Sequence, residues 1–314
     1  SALSGGRTGN VVTLLLGMDG SVVDVITGDD VESVYYGMVE SSEKVISGEG
    51  NATVQTNVTV ICTDGTARTF TVDKAVDYPA GRLVTVNVSE GSVTVKTLSE
   101  KHTSGSVDSA ATKLGSLSFA EDVEILDTSD EGSAAAVDVS RLSGITLASS
   151  DVRYYGLDGD GRIEYLILDD VTGDLWTYAY LTRLEDQSQE MSINVAYTYL
   201  VDGAEQTLRS TSAQYPVETG GIAIAYQSDG SIRTMQRIKS AKLTDLSGSW
   251  AMASNQKYAV SDDVQVYLCK DNSYYLTTLS SVNAEDYTLT GWYNNSSNST
   301  GRQIRIIIAA ALED

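Results

Sequence analysis

An all-β fold of two tandem repeats, each an antiparallel sheet followed by a small β-barrel module, is the class this sequence predicts, on three observations. Val, Thr, Ser, Tyr and Ile are abundant while there are only two Pro, two Phe and one His, so strand formers dominate and no long stretch carries a helical period. Short runs alternate apolar and polar residues with the period of two that a strand imposes. A hairpin pattern appears three times, at intervals of about 140 residues.

The clearest copy is YYGLDGDGRIEYLIL at 154–168. Asp158, Gly159, Asp160 and Gly161 supply the conformational freedom of a tight turn. In the outgoing strand Ile163, Tyr165 and Ile167 are expected on one face and Glu164 on the other, a half-buried strand. VVTLLLGMDGSVVDVI repeats the plan near the N-terminus, with Asp19 and Gly20 at the turn and Asp24 between Val23 and Val25. YTLTGWYNNSSNSTGRQIRIIIA repeats it near the C-terminus, where Ile304, Ile306 and Ile308 alternate with Arg305.

The sequence between the hairpins keeps the same order in both halves. Tyr78-Pro79 answers Tyr215-Pro216, EGSV ending at Val93 answers DGSI ending at Ile232, and AEDVEIL answers SDDVQVY with Asp122 opposite Asp263. These matches give a flexible leader, SALSGGRTGN, and a first hairpin in 1–28. Repeat unit 1 is then 29–170, with a sheet module at 29–82 and a barrel module at 83–170. Unit 2 is 171–314, with a sheet module at 171–221 and a barrel module at 222–314. A barrel is expected because closing short strands on one another removes exposed edges. Short helical turns are expected at most in LASSDV and SVNAEDY.

Charge narrows the function. With 43 acidic and 21 basic residues the formal net charge is −22, which repels nucleic acid and anionic membranes and attracts cations. No nucleic-acid partner is expected, and the apolar runs VVTLLL and IRIIIAAAL are far short of the roughly 20 residues that cross a bilayer. Cys62 and Cys269 lie in alternating strands at positions that do not correspond between repeats, and read as free buried thiols rather than a bridge between units. His102, the one histidine, reads as a solvated loop residue and cannot build a multi-histidine zinc site. No GxSxG elbow or phosphate-cradling Gly-rich loop is present, so no catalytic or nucleotide-binding residues are assigned.

Two candidate binding features remain. The acidic hairpin places Asp158, Asp160 and Glu164 at the third, fifth and ninth positions of a calcium-type loop. Gly156 stands where the first ligand would be, however, and the other hairpins lack matching carboxylates, so a turn kept for its geometry accounts better for all three copies. Trp176, Tyr178 and Tyr180, two residues apart on a strand, share a face that would suit stacking on sugar rings. Their repeat counterparts Val34, Tyr36 and Met38 form an ordinary apolar stripe, which favours core packing. Trp292, beside Tyr293 in the third hairpin, is a second candidate glycan contact.

The DGDGRIEYL hairpin, the preceding AEDVEILD phrase, the acidity and the repetition resemble the extracellular regions of Firmicutes S-layer-like proteins, those carrying S-layer homology domains. The resemblance implies an extracellular protein of the bacterial cell surface, non-catalytic, whose β modules build an array or stalk by self-association or with other cell-envelope components, with calcium as a candidate bridging ion. No S-layer homology segment is recognised here, so no residue is assigned to anchoring, which would lie outside an excerpt of a longer protein. The alternative expectation is a secreted carbohydrate-binding protein or adhesin.

Overall fold

The computed structural model describes residues 12–16, 22–27, 33–47, 53–89 and 91–312, and over these the protein is all-β. The leader, the Asp19-Gly20 turn, the turn at 49–51 and the side chains of the first hairpin lie outside the described residues. That hairpin pairs β1 (Val12–Leu16) antiparallel with β2 (Val22–Thr27). Unit 1 continues with β3 (Ser33–Ser47), β4 (Thr53–Cys62), β5 (Ala67–Val72), β6 (Leu83–Ser89) and β7 (Ser92–Thr97). These form an antiparallel sheet in the order β5-β4-β3-β6-β7. Its outer strands β5 and β7 approach one another, so the sheet curls around Val39, Val58, Val60, Cys62, Val84 and Val86.

The barrel module of unit 1 contains β8 (Gly105–Ser106), β9 (Lys113–Leu114), β10 (Leu117–Thr128), β11 (Ala134–Ala136), β12 (Thr146–Leu147), β13 (Val152–Leu157) and β14 (Ile163–Asp169). Strands β11-β10-β14-β13 form a curved sheet in which β10 and β14 run parallel. Its core gathers Leu114, Ile125, Leu142, Leu147, Val152, Leu166 and Leu168.

Unit 2 repeats the plan. Strands β15 (Thr177–Asp186), β16 (Val195–Val201), β17 (Ala204–Ser210), β18 (Gly220–Tyr226) and β19 (Ile232–Arg237) pair in the order β17-β16-β15-β18-β19. The second barrel module is β20 (Lys239–Leu243), β21 (Asp245–Leu246), β22 (Trp250–Ala253), β23 (Gln256–Lys270), β24 (Ser273–Thr277), β25 (Tyr287–Tyr293) and β26 (Gln303–Ala311), with β23 and β26 parallel. Short 3-10 turns occur at Val139–Leu142, Ser149–Asp151 and Leu279–Ser281.

The sheet-to-barrel boundaries differ from those expected. β6 and β7 belong to the first sheet, and β18 and β19 to the second. Pairing decides this: β6 runs along the free edge of β3 from Ser33 to Met38, and β18 along β15 from Thr177 to Leu181. Alternation of apolar residues marks these segments as strands without saying which neighbour they find.

All three hairpins carry the same β-bulge. Leu15 and Leu16 face Asp24 and Val22, Gly156 and Leu157 face Tyr165 and Ile163, and Trp292 and Tyr293 face Ile306 and Ile304. One residue of each outgoing strand, Val23, Glu164 or Arg305, is therefore left without a cross-strand partner. The corresponding residues of the three hairpins are therefore Val22, Ile163 and Ile304.

The bulge also switches faces. Ile163 shares the barrel core with Leu166 and Leu168, whereas Ile167 joins Met38 and Leu83 under the first sheet. In unit 2 Ile304, Ile307 and Ala309 enter the barrel core while Ile306 and Ile308 face the second sheet. The half-buried strand expected from simple alternation is thus buried on both faces, because the sheet module packs on the outside of the barrel strand.

The acidic phrases AEDV and SDDV sit opposite these bulges. The parallel pairing jumps from Phe119 to Glu124 on β10, and from Val260 to Gln265 on β23. Glu124 then accepts a hydrogen bond from Thr63 Oγ1 in the β4–β5 turn. Its counterpart Gln265 accepts one from the backbone N–H of Asp202 at 2.9 Å in the β16–β17 turn. Each sheet is therefore docked on its barrel in the same way.

Candidate functional site at the junction of the units

The two units meet at the linker between β14 and β15. Asp170 at φ 44° and Gly173 at φ 72° take left-handed conformations that fold the linker back toward β10. Asp127, at the end of β10, is fully buried. Its carboxylate accepts the N–H of Val171 at 3.0 Å, the N–H of Thr172 at 2.7 Å and the hydroxyl of Thr172 at 2.6 Å. Burial raises its pKa against the lowering effect of these bonds. Asp170 accepts only a long bond, 3.3 Å, from the Trp176 indole N–H. Burial, and then the charge of Asp127, push its pKa up to about 6.

Barrel 2 closes over the linker. Ser296 donates to the carbonyl of Asp170 at 3.0 Å, and Asn298 Nδ2 reaches Thr146 O at 3.2 Å and Asp151 Oδ2 at 3.1 Å. Arg305, 6% exposed, donates to the carbonyls of Thr172 at 3.0 Å and Gly301 at 3.1 Å. Its guanidinium lies 4.7 Å from the Tyr178 ring centroid, and burial lowers its pKa. From barrel 1, Arg141 clasps Asp174 through two bonds at 2.9 and 3.1 Å.

A second clasp joins sheet 1 to sheet 2. Glu40, 3% exposed, receives the N–H of Ser228 at 2.7 Å and its hydroxyl, both from the β18–β19 turn. Arg233 donates to the carbonyls of Glu40 at 2.8 Å and Glu131 at 2.9 Å. A polar cleft of about 610 Å³ opens beside the linker, lined by Asp174, Trp176, Tyr178, Asp263, Gln265 and Arg305, and adjoins one of about 370 Å³ that includes Arg141 and Asp262.

The calcium candidates lie apart from this junction. Asp158 accepts the N–H groups of Asp160 and Arg162 at 2.9 and 2.8 Å, and the Arg162 guanidinium binds both Asp158 at 2.8 Å and Asp160 at 2.9 Å. Glu164 is the half-buried bulge residue on the strand. The Arg162 guanidinium is thus paired with two of the three candidate carboxylates, Asp158 and Asp160. Among the described residues no group of three or more His, Cys, Asp or Glu is arranged to hold a metal.

Of the two readings of Trp176, Tyr178 and Tyr180, the structure shows the favoured one, core packing, and leaves no exposed sugar platform. Trp176 and Tyr178 are each 9% exposed and pack with Tyr267, Trp292, Ile306 and Ile308 between sheet 2 and barrel 2. Tyr180 lies half-buried with its ring 4.9 Å from Tyr274 and 6.1 Å from Trp292. The face they share is the one β15 turns toward its own barrel. Trp292 is covered as well, against Gly220 and Gly221, where an added Cβ would come within 2.4 and 2.8 Å of the indole.

Cys62 is buried inside the first sheet and Cys269 is half-buried in the second unit, both as free thiols. His102 lies in a loop, Nδ1 2.7 Å from the Val152 carbonyl and Nε2 3.4 Å from Glu100.

Compared with protein-family models, with curated proteins and with solved structures, the chain matches none. The residues that organise the junction, Glu40, Asp127, Asp170 and Arg305, were not singled out as functional by sequence reasoning. One signal was available: in VEILD, Asp127 falls on the same strand face as the core residue Ile125, and a charge on an inward face calls for a partner.

Proposed function

We propose that this is a non-catalytic structural repeat protein of a bacterial cell surface, S-layer-like in organisation, in which β units are fixed in series as part of an array or stalk. The observation that carries this reading is the junction itself. Its linker is held by a buried carboxylate on one side and by Arg305 and Ser296 on the other, Asn298 ties barrel 2 to barrel 1, and Glu40 ties the sheets together. A linker between independently acting binding modules would be exposed and polar, with few bonds crossing it. Here buried polar groups are spent on fixing the relative placement of two units. The acidic surface suits an exposed protein that must resist nonspecific association.

Immunogold labelling of intact cells of the source bacterium tests the location. Label distributed over the outer surface supports the reading, and label appearing only after permeabilisation overturns it. Size-exclusion chromatography with light scattering, over a range of protein concentrations and with added calcium, tests whether assembly accompanies it.

A further inference from the structure

We propose that a cleft between the two barrel modules binds a small ligand through an oxyanion group, a phosphate or a carboxylate. The cleft, of about 370 Å³, has room for one such molecule. Its cations come from both units: Arg141 from the 3-10 turn of barrel 1, and Lys257 of β23 and Arg302 of the third hairpin from barrel 2. Hydroxyls of Ser143, Ser299 and Thr300 stand beside them, and the lining includes no Asp or Glu. In a chain with 43 acidic and only 21 basic residues, three cations meeting without a carboxylate run against the composition.

Two of these cations are without an acidic partner. Among the described residues the half-buried Arg302 side chain makes no ion pair or hydrogen bond, and Lys257 Nζ meets no carboxylate, lying 4.8 Å from the Trp250 ring centroid. Arg141 is clasped to Asp174. That carboxylate, with Asp262 and Asp263, lines the adjoining cleft and not this one. A guanidinium with no protein acceptor leaves its five donors to water or to an external group. An oxyanion placed between Arg302 and Lys257 gains charge-assisted hydrogen bonds, bidentate ones from the guanidinium.

The third hairpin differs from the second in the way such a site requires. Ten residues, 294–303, separate Tyr293 from Ile304, against five, 158–162, between Leu157 and Ile163. In the shorter turn Arg162 is engaged by Asp158 and Asp160. The longer one, NNSSNSTGRQ, has Asn and Ser in place of Asp, which leaves Arg302 unpaired. Thr300 and Tyr258, each 8% exposed, back the lining with fixed side chains. The site stands whether or not the protein belongs to a cell surface.

Calorimetric titration of the native protein with sodium phosphate, and separately with sodium malonate, tests this at neutral pH. Ionic strength is held constant, because added salt alone screens surface charge. Saturable binding at one site is expected, weakened about tenfold or more in Arg302→Gln and unchanged in Lys96→Gln, an exposed cation of β7. Saturation by phosphate alone supports a phosphate-bearing ligand, by malonate alone a carboxylate, and by both a site for either group. No saturation by either anion, or native affinity in Arg302→Gln, overturns the proposal. Should that variant fail to fold, the Arg302 Nε–H resonance of the native protein gives an independent reading. A saturable shift with either anion supports the proposal, and a resonance unmoved by both overturns it.

Discussion

Asp127 shows how much a single side chain contributes to this architecture. A carboxylate removed from water is costly unless donors replace its hydration, and the linker supplies three. Asp127→Ala strands those donors and leaves a void, so urea denaturation is expected to show a loss of about 3 kcal/mol. The acidic hairpin behaves differently. The Arg162 side chain is about half exposed, so its ion pairs with Asp158 and Asp160 contribute roughly 0 to 1 kcal/mol. Asp160→Asn is expected to leave the melting temperature within about 1 °C of native, with or without calcium, by differential scanning fluorimetry. A calcium-dependent rise in the native protein that vanishes in the variant would restore the calcium loop.

At the scale of elements, turns were legible in the sequence and partners were not. Gly161, Asp202-Gly203 and Gly230 take positive φ where the turn signals stand, so strand order along the chain follows from local chemistry. The bulges at Glu164 and Arg305 are invisible to alternation because one inserted residue reverses the faces without changing composition. That is why Tyr165 and Ile167 were expected beside Ile163 and not under the sheet, where Tyr165 stacks on Tyr36 at 4.7 Å. The same blindness left Trp176 and Tyr178 as a candidate platform: periodicity finds a shared face but not what covers it. Gly220 and Gly221 look like loop residues, yet Trp292 lies on them. Gly221→Val is expected to displace that indole and cost roughly 2 to 4 kcal/mol, seen as a lower urea midpoint with altered tryptophan emission.

For the whole molecule, the central claim is that the two repeats are locked into one body by the linker and the Glu40 clasp. The repetition itself was legible from three hairpins and the matched phrases between them. The lock was not, because Glu40 and Ser228 are brought together only by the folded arrangement of both sheets. All three tryptophans, Trp176, Trp250 and Trp292, lie in unit 2, which gives a direct test. Equilibrium urea unfolding at pH 5.5 can be followed by tryptophan emission, which reports unit 2, and by far-ultraviolet circular dichroism, which reports both units. Coincident transitions in the native protein, separating when Glu40→Ala and Asp127→Ala are combined, are the result the account predicts. Two resolved transitions in the native protein, with emission changing in only one of them, would contradict it.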